Sequence, residues 1–350
     1  GAGRAEASVP YPVFVCTRGR ARSALLRWDA AHCLGASACG DEGVPLVLVV
    51  EPAELLAYRS AWPEALLLEL PRPGGSAVGY CRWAVQRLCT ASREEEAGRL
   101  LRLPFAWMAD DTLVAFSRVD GLGGGQARGR PRPRRLLERG FWEAFLAVQG
   151  YGGLGAVALA GFLRRRGAIN SLRPWVLDGS LTLQKVLLLN LVRLQALGLE
   201  FCGLLRKSED LALCFEVART PGGHLLKAQR YCYEALHIAR GGAEEVRAES
   251  RRGAGTGLSS LLLGGEAALA DLRPGQRAAV AALQRWLEVQ SHPAQSLRAA
   301  PGCPAQGPPR PRRRRWRGLC ALAAGQRRRR RRWRGLCQPR RLHGKQPPPT

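Results

Sequence analysis

Acidic residues are missing from positions 301–350, which hold 15 Arg and one Lys, so +16 of the formal net charge of +26 lies in the last stretch of this 350-residue chain. Polyanion binding is therefore expected of the tail rather than of the whole surface. Long apolar runs are missing too. None approaches the ~18 residues of a membrane-spanning helix, and the run at 157–163 stops at Arg164, Arg165 and Arg166, which is the pattern of a buried strand. The 11 cysteines contain no CxxC pair, which excludes a zinc knuckle. Their odd number, their aliphatic neighbours and the lack of a secretory leader point to a reducing compartment in which most act as small hydrophobes. The glycines at 123–125, with Arg128 and Arg130 nearby, form neither a Walker loop nor a dinucleotide fingerprint, and no Ser-His-acid set with an elbow is found. ATPase, Rossmann oxidoreductase and serine hydrolase assignments thus lose their main motifs. The chain opens at Gly1 without methionine, as a fragment or processed product would.

With 46% hydrophobic residues, the chain can build one large core or two smaller ones. Short aliphatic runs at 11–16, 45–50, 66–70 and 105–108 alternate with helical spacing at 52–62 and 76–89, which predicts an α/β layer. Residues 120–135 read as an exposed loop, followed by a helix near 136–148. Strands are expected near 156–162 and 186–189, a helix at 210–218, a further element at 229–239, and short helices at 267–272 and 278–289. RRRRWRGLC occurs twice, at 312–320 and 329–337. Trp316 and Trp333 would then stack on nucleic acid or enter an acidic lipid interface; a low-complexity extension is the plainer reading.

The sharpest chemical feature is PFAWMADDTLVAFSR at 104–118, a buried strand ending on Asp110 and Asp111. Adjacent carboxylates repel and resist desolvation, so Mg or Mn would relieve them and also bind a diphosphate; a solvated strand end is the alternative. A second acidic pair, Glu209 and Asp210, follows Ser208. It reads either as a capped helix start or as a carboxylate placed to take a proton from a hydroxyl nucleophile. Thr17, Arg18 and Arg20 follow the first strand, where open α/β sheets bind ligands, and Arg82 is a further candidate for the diphosphate. Asn170, Asn190 and His224 are weaker candidates, each with a structural reading beside it.

Taken in order, PVFVCTRGR (12–20), PLVLVVEPAELLAYRSAWP (45–63), PRPGGSAVGYCRWAVQR (71–87), PFAWMADDTLVAFSRV (104–119), GAINSLRP (167–174), KVLLLNLVRLQALGLEF (185–201) and KSEDLALCFEV (207–217) resemble the TET-associated glycosyltransferase family. They are also similar to the carboxy-terminal domain of the estrogen-regulated breast-cancer growth protein family. The resemblance spans about 12–235. It implies a GT-A-like fold with a mixed, mainly parallel sheet, Mg or Mn as cofactor, and a UDP-sugar as donor. Asp110 and Asp111 would be the metal residues, and Thr17, Arg18, Arg20, Arg82 and Asp110 would bind the sugar nucleotide. Asp210 would be the base if the enzyme inverts configuration, with Glu209 its close competitor. Thr112 stands where the pattern often has a third acid, and Trp83 where a small polar amide is usual.

These readings divide the chain into a transferase domain at 8–240, a partly helical extension at 241–290 and a disordered basic tail at 291–350. The implied activity is transfer of a sugar, such as N-acetylglucosamine, to a protein Ser/Thr hydroxyl or a hydroxymethylated DNA base. The alternative is an inactive transferase-like chromatin or nucleic-acid interaction protein acting in transcriptional regulation. Expected partners are a protein acceptor or nuclear receptor-type transcription complex, and DNA or RNA through the tail. The expected location is the nucleus or cytoplasm, with the nucleus favoured.

Overall fold

The computed structural model describes residues 11–24, 33–34, 44–63, 65–71, 78–91, 103–120, 132–135, 140–164, 173–178, 182–236 and 261–291. Asn170, the glycines at 123–125, Arg128, Arg130 and the Arg-rich tail lie outside these residues.

The first half is a set of β-α units. β1 (Val13–Cys16), β2 (Cys33–Leu34) and β3 (Val44–Val50) lead through a 3-10 turn at Pro52–Glu54 into α1 (Leu55–Ala61). β4 (Leu66–Glu69), α2 (Val78–Thr90) and β5 (Phe105–Asp110) follow. All four pairings among these strands are parallel: β1 with β3 and β5, and β3 with β2 and β4. Their aliphatic runs are continuous because both faces are covered. Val13, Val15, Leu48 and Trp107 pack on one face with Tyr58 of α1, whereas Phe14, Val49 and Met108 pack on the other with Cys81 and Val85 of α2.

The second half comprises β6 (Leu113–Asp120), β7 (Arg132–Arg135), α3 (Gly140–Gln149), β8 (Leu159–Arg164) and β9 (Trp175–Leu177). It continues with β10 (Val186–Asn190), α4 (Leu191–Ala196), α5 (Glu209–Arg219), β11 (Leu225–Ala235) and α6 (Pro274–Ser291). One 11-stranded sheet runs in the order β2-β3-β1-β5-β10-β8-β11-β6-β7, with β4 beside β3 and β9 beside β11. The expected α/β fold with a mixed sheet is present. Its parallel character is confined to the first half and the β8–β11 pair, because β10 enters antiparallel between β5 and β8.

Residues 132–135, read from sequence as loop, form β7 at the sheet's end; its Arg-Pro composition hides it, and proline is tolerated on an edge strand. The three-residue β9 and the helix α4 are likewise not evident from the alternation. α4 starts without any break after β10, because Asn190 Oδ1 accepts the Arg193 N–H while its amide nitrogen donates to the Leu154 and Gly155 carbonyls. Asn190 is therefore a cap and a brace.

Close backbone contact sets the position of α2. A Cβ at Gly79 would lie 2.5 Å from the carbonyl oxygens of both Cys202 and Leu205, and the Gly79 N–H donates to Leu205 O at 3.1 Å. Gly79→Ala is expected to push the helix off this loop, destabilising the protein by about 1–3 kcal/mol in denaturant titration. A shift in stability within error would show that the contact yields freely.

α6 covers α5, with Val280 and Leu283 against Leu211 and Ala212. Glu216 is buried beneath it, 3.5 Å from Arg273 Nη2, and burial pushes its carboxyl up to about 7 against the opposing pull of Arg273. The folded protein then binds this proton more tightly than the unfolded chain, so stability falls as pH rises from about 4.5 to 7, by up to about 1.4 kcal/mol per pH unit. Thermal unfolding of Glu216→Gln is expected to lose less stability than wild type between pH 5 and 8. An unchanged slope would exclude Glu216 as a source.

Candidate functional site

The carboxyl ends of β1, β3 and β5 lie side by side, Cys16 in register with Asp110 and Val49, and the two acidic strand-end residues part company there. Successive residues of an extended chain point in opposite directions. Asp111 turns to the loop after β1: its Oδ1 accepts from Arg20 Nη1 at 2.6 Å and its Oδ2 from Thr17 Oγ1 at 2.8 Å. The Tyr58 hydroxyl accepts from the Arg20 N–H and lies 2.6 Å from Thr17 Oγ1. Since the Thr17 proton goes to Asp111, the Tyr58 proton goes to Thr17. Burial lifts the Asp111 carboxyl above its ordinary range despite Arg20 and Thr17, and burial pushes Tyr58 up to about 12. This closed buried network fixes the turn. Arg18 points elsewhere, its Nε 3.3 Å from Glu51 Oε1.

Asp110 faces the other way, toward α2, the start of β10 and the start of α5. Its Oδ1 accepts from Arg82 Nη2 at 2.7 Å and its Oδ2 from Lys185 Nζ at 2.7 Å. Burial works to raise this carboxyl, and the two cations outweigh it and leave it below its ordinary range. Arg82, only 1% exposed, also has Nε 3.1 Å from Glu209 Oε1 and Nη1 4.0 Å from Asp210 Oδ2, ion pairs without hydrogen-bond alignment. Three carboxylates thus share one guanidinium, whose charge they hold more firmly than its burial loosens it.

Glu209 and Asp210 sit in the first turn of α5, where the helix dipole favours negative charge. Asp210 Oδ1 accepts from Leu211 N at 2.8 Å and Oδ2 from Lys185 N at 3.1 Å. Burial raises both carboxyls, Glu209 to about 7, with Arg82 opposing. Tyr233 of β11 adds a buried phenol. Burial first, then the charges of Asp210 and Asp110, keep it protonated.

The structure therefore brings together Asp110, Glu209, Asp210 and Arg82, and separates from them Asp111, Thr17 and Arg20, which brace one another, and Arg18. His224 pairs with Asp178 at 2.7 Å away from this cluster and fixes the start of β11, where Asp178 Oδ1 accepts the Leu225 N–H. Trp83 stacks on Tyr80, with ring centroids 5.7 Å apart. A G-x-G-x-x-G run at 150–155 joins α3 to β8, the reverse of the strand-to-helix order of a dinucleotide turn. Lys185, Tyr58 and Tyr233 are not evident as site residues from sequence. For Lys185 the available signal is a lone lysine directly before the apolar strand at 186–189.

Mg or Mn was expected at Asp110 and Asp111, and the donor set does not fit such an ion. Asp110 is already paired with Arg82 and Lys185, and Asp111 with Arg20 and Thr17, so a divalent ion would have to compete with a positively charged side chain at either one. Among the described residues no three His, Cys, Asp or Glu side chains converge to hold a cation; the carboxylates converge on Arg82 instead. No described helix is long and apolar enough to cross a membrane.

Compared with known families, residues 11–137 match TET-Associated Glycosyltransferase. The match includes Arg82, Asp110 and Asp111, and ends before Lys185, Glu209 and Asp210. No curated protein matches the chain significantly.

Proposed function

We propose that the chain, whose residues 11–137 match the TET-associated glycosyltransferase family, transfers a sugar from a UDP-sugar to a hydroxyl acceptor, with Asp210 as the base. The observation that supports this most is the gathering of Asp110, Glu209 and Asp210 around Arg82 at the carboxyl ends of the parallel strands. Open α/β sheets bind ligands at this edge. Asp210 keeps 12% of its side chain exposed against 4% for Glu209, so it is the better placed of the two to meet an acceptor.

In the reaction, the acceptor oxygen forms a bond to the anomeric carbon as the bond to the UDP oxygen breaks, and the acceptor proton passes to Asp210. Two hydrogen bonds from backbone N–H groups hold the Asp210 carboxylate in place for this transfer, and Arg82 holds Asp110 and Glu209 around it. UDP leaves with the bonding electrons.

The acceptors fitting this chemistry are Ser or Thr hydroxyls on a nuclear protein and a hydroxymethylated DNA base. N-acetylglucosamine is the first donor sugar to try. UDP release by the full chain, measured over a panel of UDP-sugars with each acceptor class, tests the reading; well-folded protein that turns over none of them contradicts it. The acid-free tail with its repeated RRRRWRGLC supports a second reading, that of a chromatin or nucleic-acid interaction protein. Binding to nucleic acid that falls steeply with salt, vanishes on deleting 309–350 and ignores Asp110→Asn would favour it.

A further inference from the structure

We infer that the Lys185 ammonium receives the donor's diphosphate in place of a divalent cation, so that nucleotide binding at this site needs no metal. The inference rests on the transfer reading above and names how that site handles its substrate's charge.

Antiparallel pairing of β10 with β5 sets Val186 opposite Ala109, which brings the residue before β10 beside the end of β5. Lys185 stands there with φ 65, a left-handed backbone that a residue with a Cβ rarely adopts. Its carbonyl accepts the Asp110 N–H at 2.9 Å and its N–H donates to Asp210 Oδ2 at 3.1 Å. Its ammonium donates to Asp110 Oδ2 at 2.7 Å and to Thr112 Oγ1 at 3.1 Å. A single residue is thus tied to both acids of the proposed reaction. Uncommon backbone geometry held by surrounding contacts tends to cluster at functional sites.

Thr112 carries the argument further. Its hydroxyl, a neutral acceptor, takes a second hydrogen bond from the lysine, so the ammonium stands between one carboxylate and one hydroxyl. A divalent ion would have to displace Lys185 from Asp110 and compete with Arg82 for the other oxygen. A diphosphate approaches the same carboxylates and displaces neither cation, since it needs only the remaining N–H of the ammonium. The ammonium has three N–H bonds and, among the described residues, two acceptors, and the Lys185 side chain is 29% exposed. Lysine is an established binder of phosphate as a point charge.

The test is calorimetric titration of UDP into the full chain, in EDTA and in Mn at equal ionic strength. The Kd is expected to agree within about twofold between the two conditions. Lys185→Ala should weaken UDP by about tenfold or more, and Lys185→Arg should recover most of the loss. Lys185→Asp, which adds a carboxylate between Asp110 and Asp210, is expected to acquire Mn binding that wild type lacks, seen as loss of the free-ion signal in electron paramagnetic resonance. UDP binding that appears only with Mn or Mg would overturn the inference and leave the transferase reading standing. So would Lys185→Ala binding UDP like wild type. No UDP binding in either condition would overturn the transferase reading itself, and the inference with it. The EDTA comparison uses wild type alone, so it decides the matter even if the variants fail to fold.

Discussion

Asp210→Asn is expected to lower the turnover of UDP-sugar by about 10²–10⁴, the usual contribution of a general base, with little change in donor KM. The amide keeps the size of the carboxylate and cannot take the acceptor's proton. Its folded state should be retained, because the amide oxygen can still accept one of the two N–H groups, from Lys185 or Leu211, that hold the carboxylate now. Glu209→Gln makes a useful contrast. Glu209 is buried against Arg82, and burial pushes its carboxyl up to about 7, so toward acid pH the side chain gains a proton and the amide resembles it. Its effect on turnover should therefore be small at pH 6 and grow toward pH 8. If Glu209→Gln abolished activity at every pH and Asp210→Asn did not, the roles of the two acids would be exchanged.

Arg82→Met should destabilise the protein by roughly 3–5 kcal/mol, the range found when one partner of a buried ion pair is removed. The guanidinium is nearly inaccessible and lies against Asp110, Glu209 and Asp210, so its loss leaves three carboxylates facing one another with only Lys185 nearby. The energy belongs to the charge and not to the packing. Denaturant unfolding of the double variant Arg82→Met, Asp110→Asn should therefore recover part of the stability, because the carboxylate held ionised by Arg82 is removed with the cation. A double variant less stable than the single one would mean that Arg82 acts chiefly through its contacts, including the one it makes over the Phe201 ring.

Much of the fold was legible because its signals are local. The aliphatic runs that became β1, β3, β5 and β10 are continuous, and the helical spacing that became α1, α2 and α5 is regular. The antiparallel entry of β10 carries no local signal. It depends on a connection that crosses several elements, and it is what brings Lys185 to Asp110. The two acidic pairs were visible as motifs, and the meeting of Asp110 with Glu209 and Asp210 at Arg82 is set by the packing of α2 and α5 against the end of β5. The separation of Asp110 from Asp111 was also there to be read, since adjacent residues at a strand end face opposite ways. Charge repulsion between neighbours suggested a shared metal. The fold resolves that repulsion by giving each carboxylate its own cations, Arg20 for one and Arg82 with Lys185 for the other. Thr17 and Arg20 had the right position for ligand binding and are committed to Asp111, an arrangement that depends on Tyr58 arriving from α1.

The most direct measurement is saturation-transfer NMR on the full chain with a panel of nucleotide sugars. At least one UDP-sugar is expected to give a saturable signal that UDP displaces. A signal from no nucleotide sugar, or one that UDP does not displace, would contradict the assignment of this cluster as a glycosyl-transfer centre.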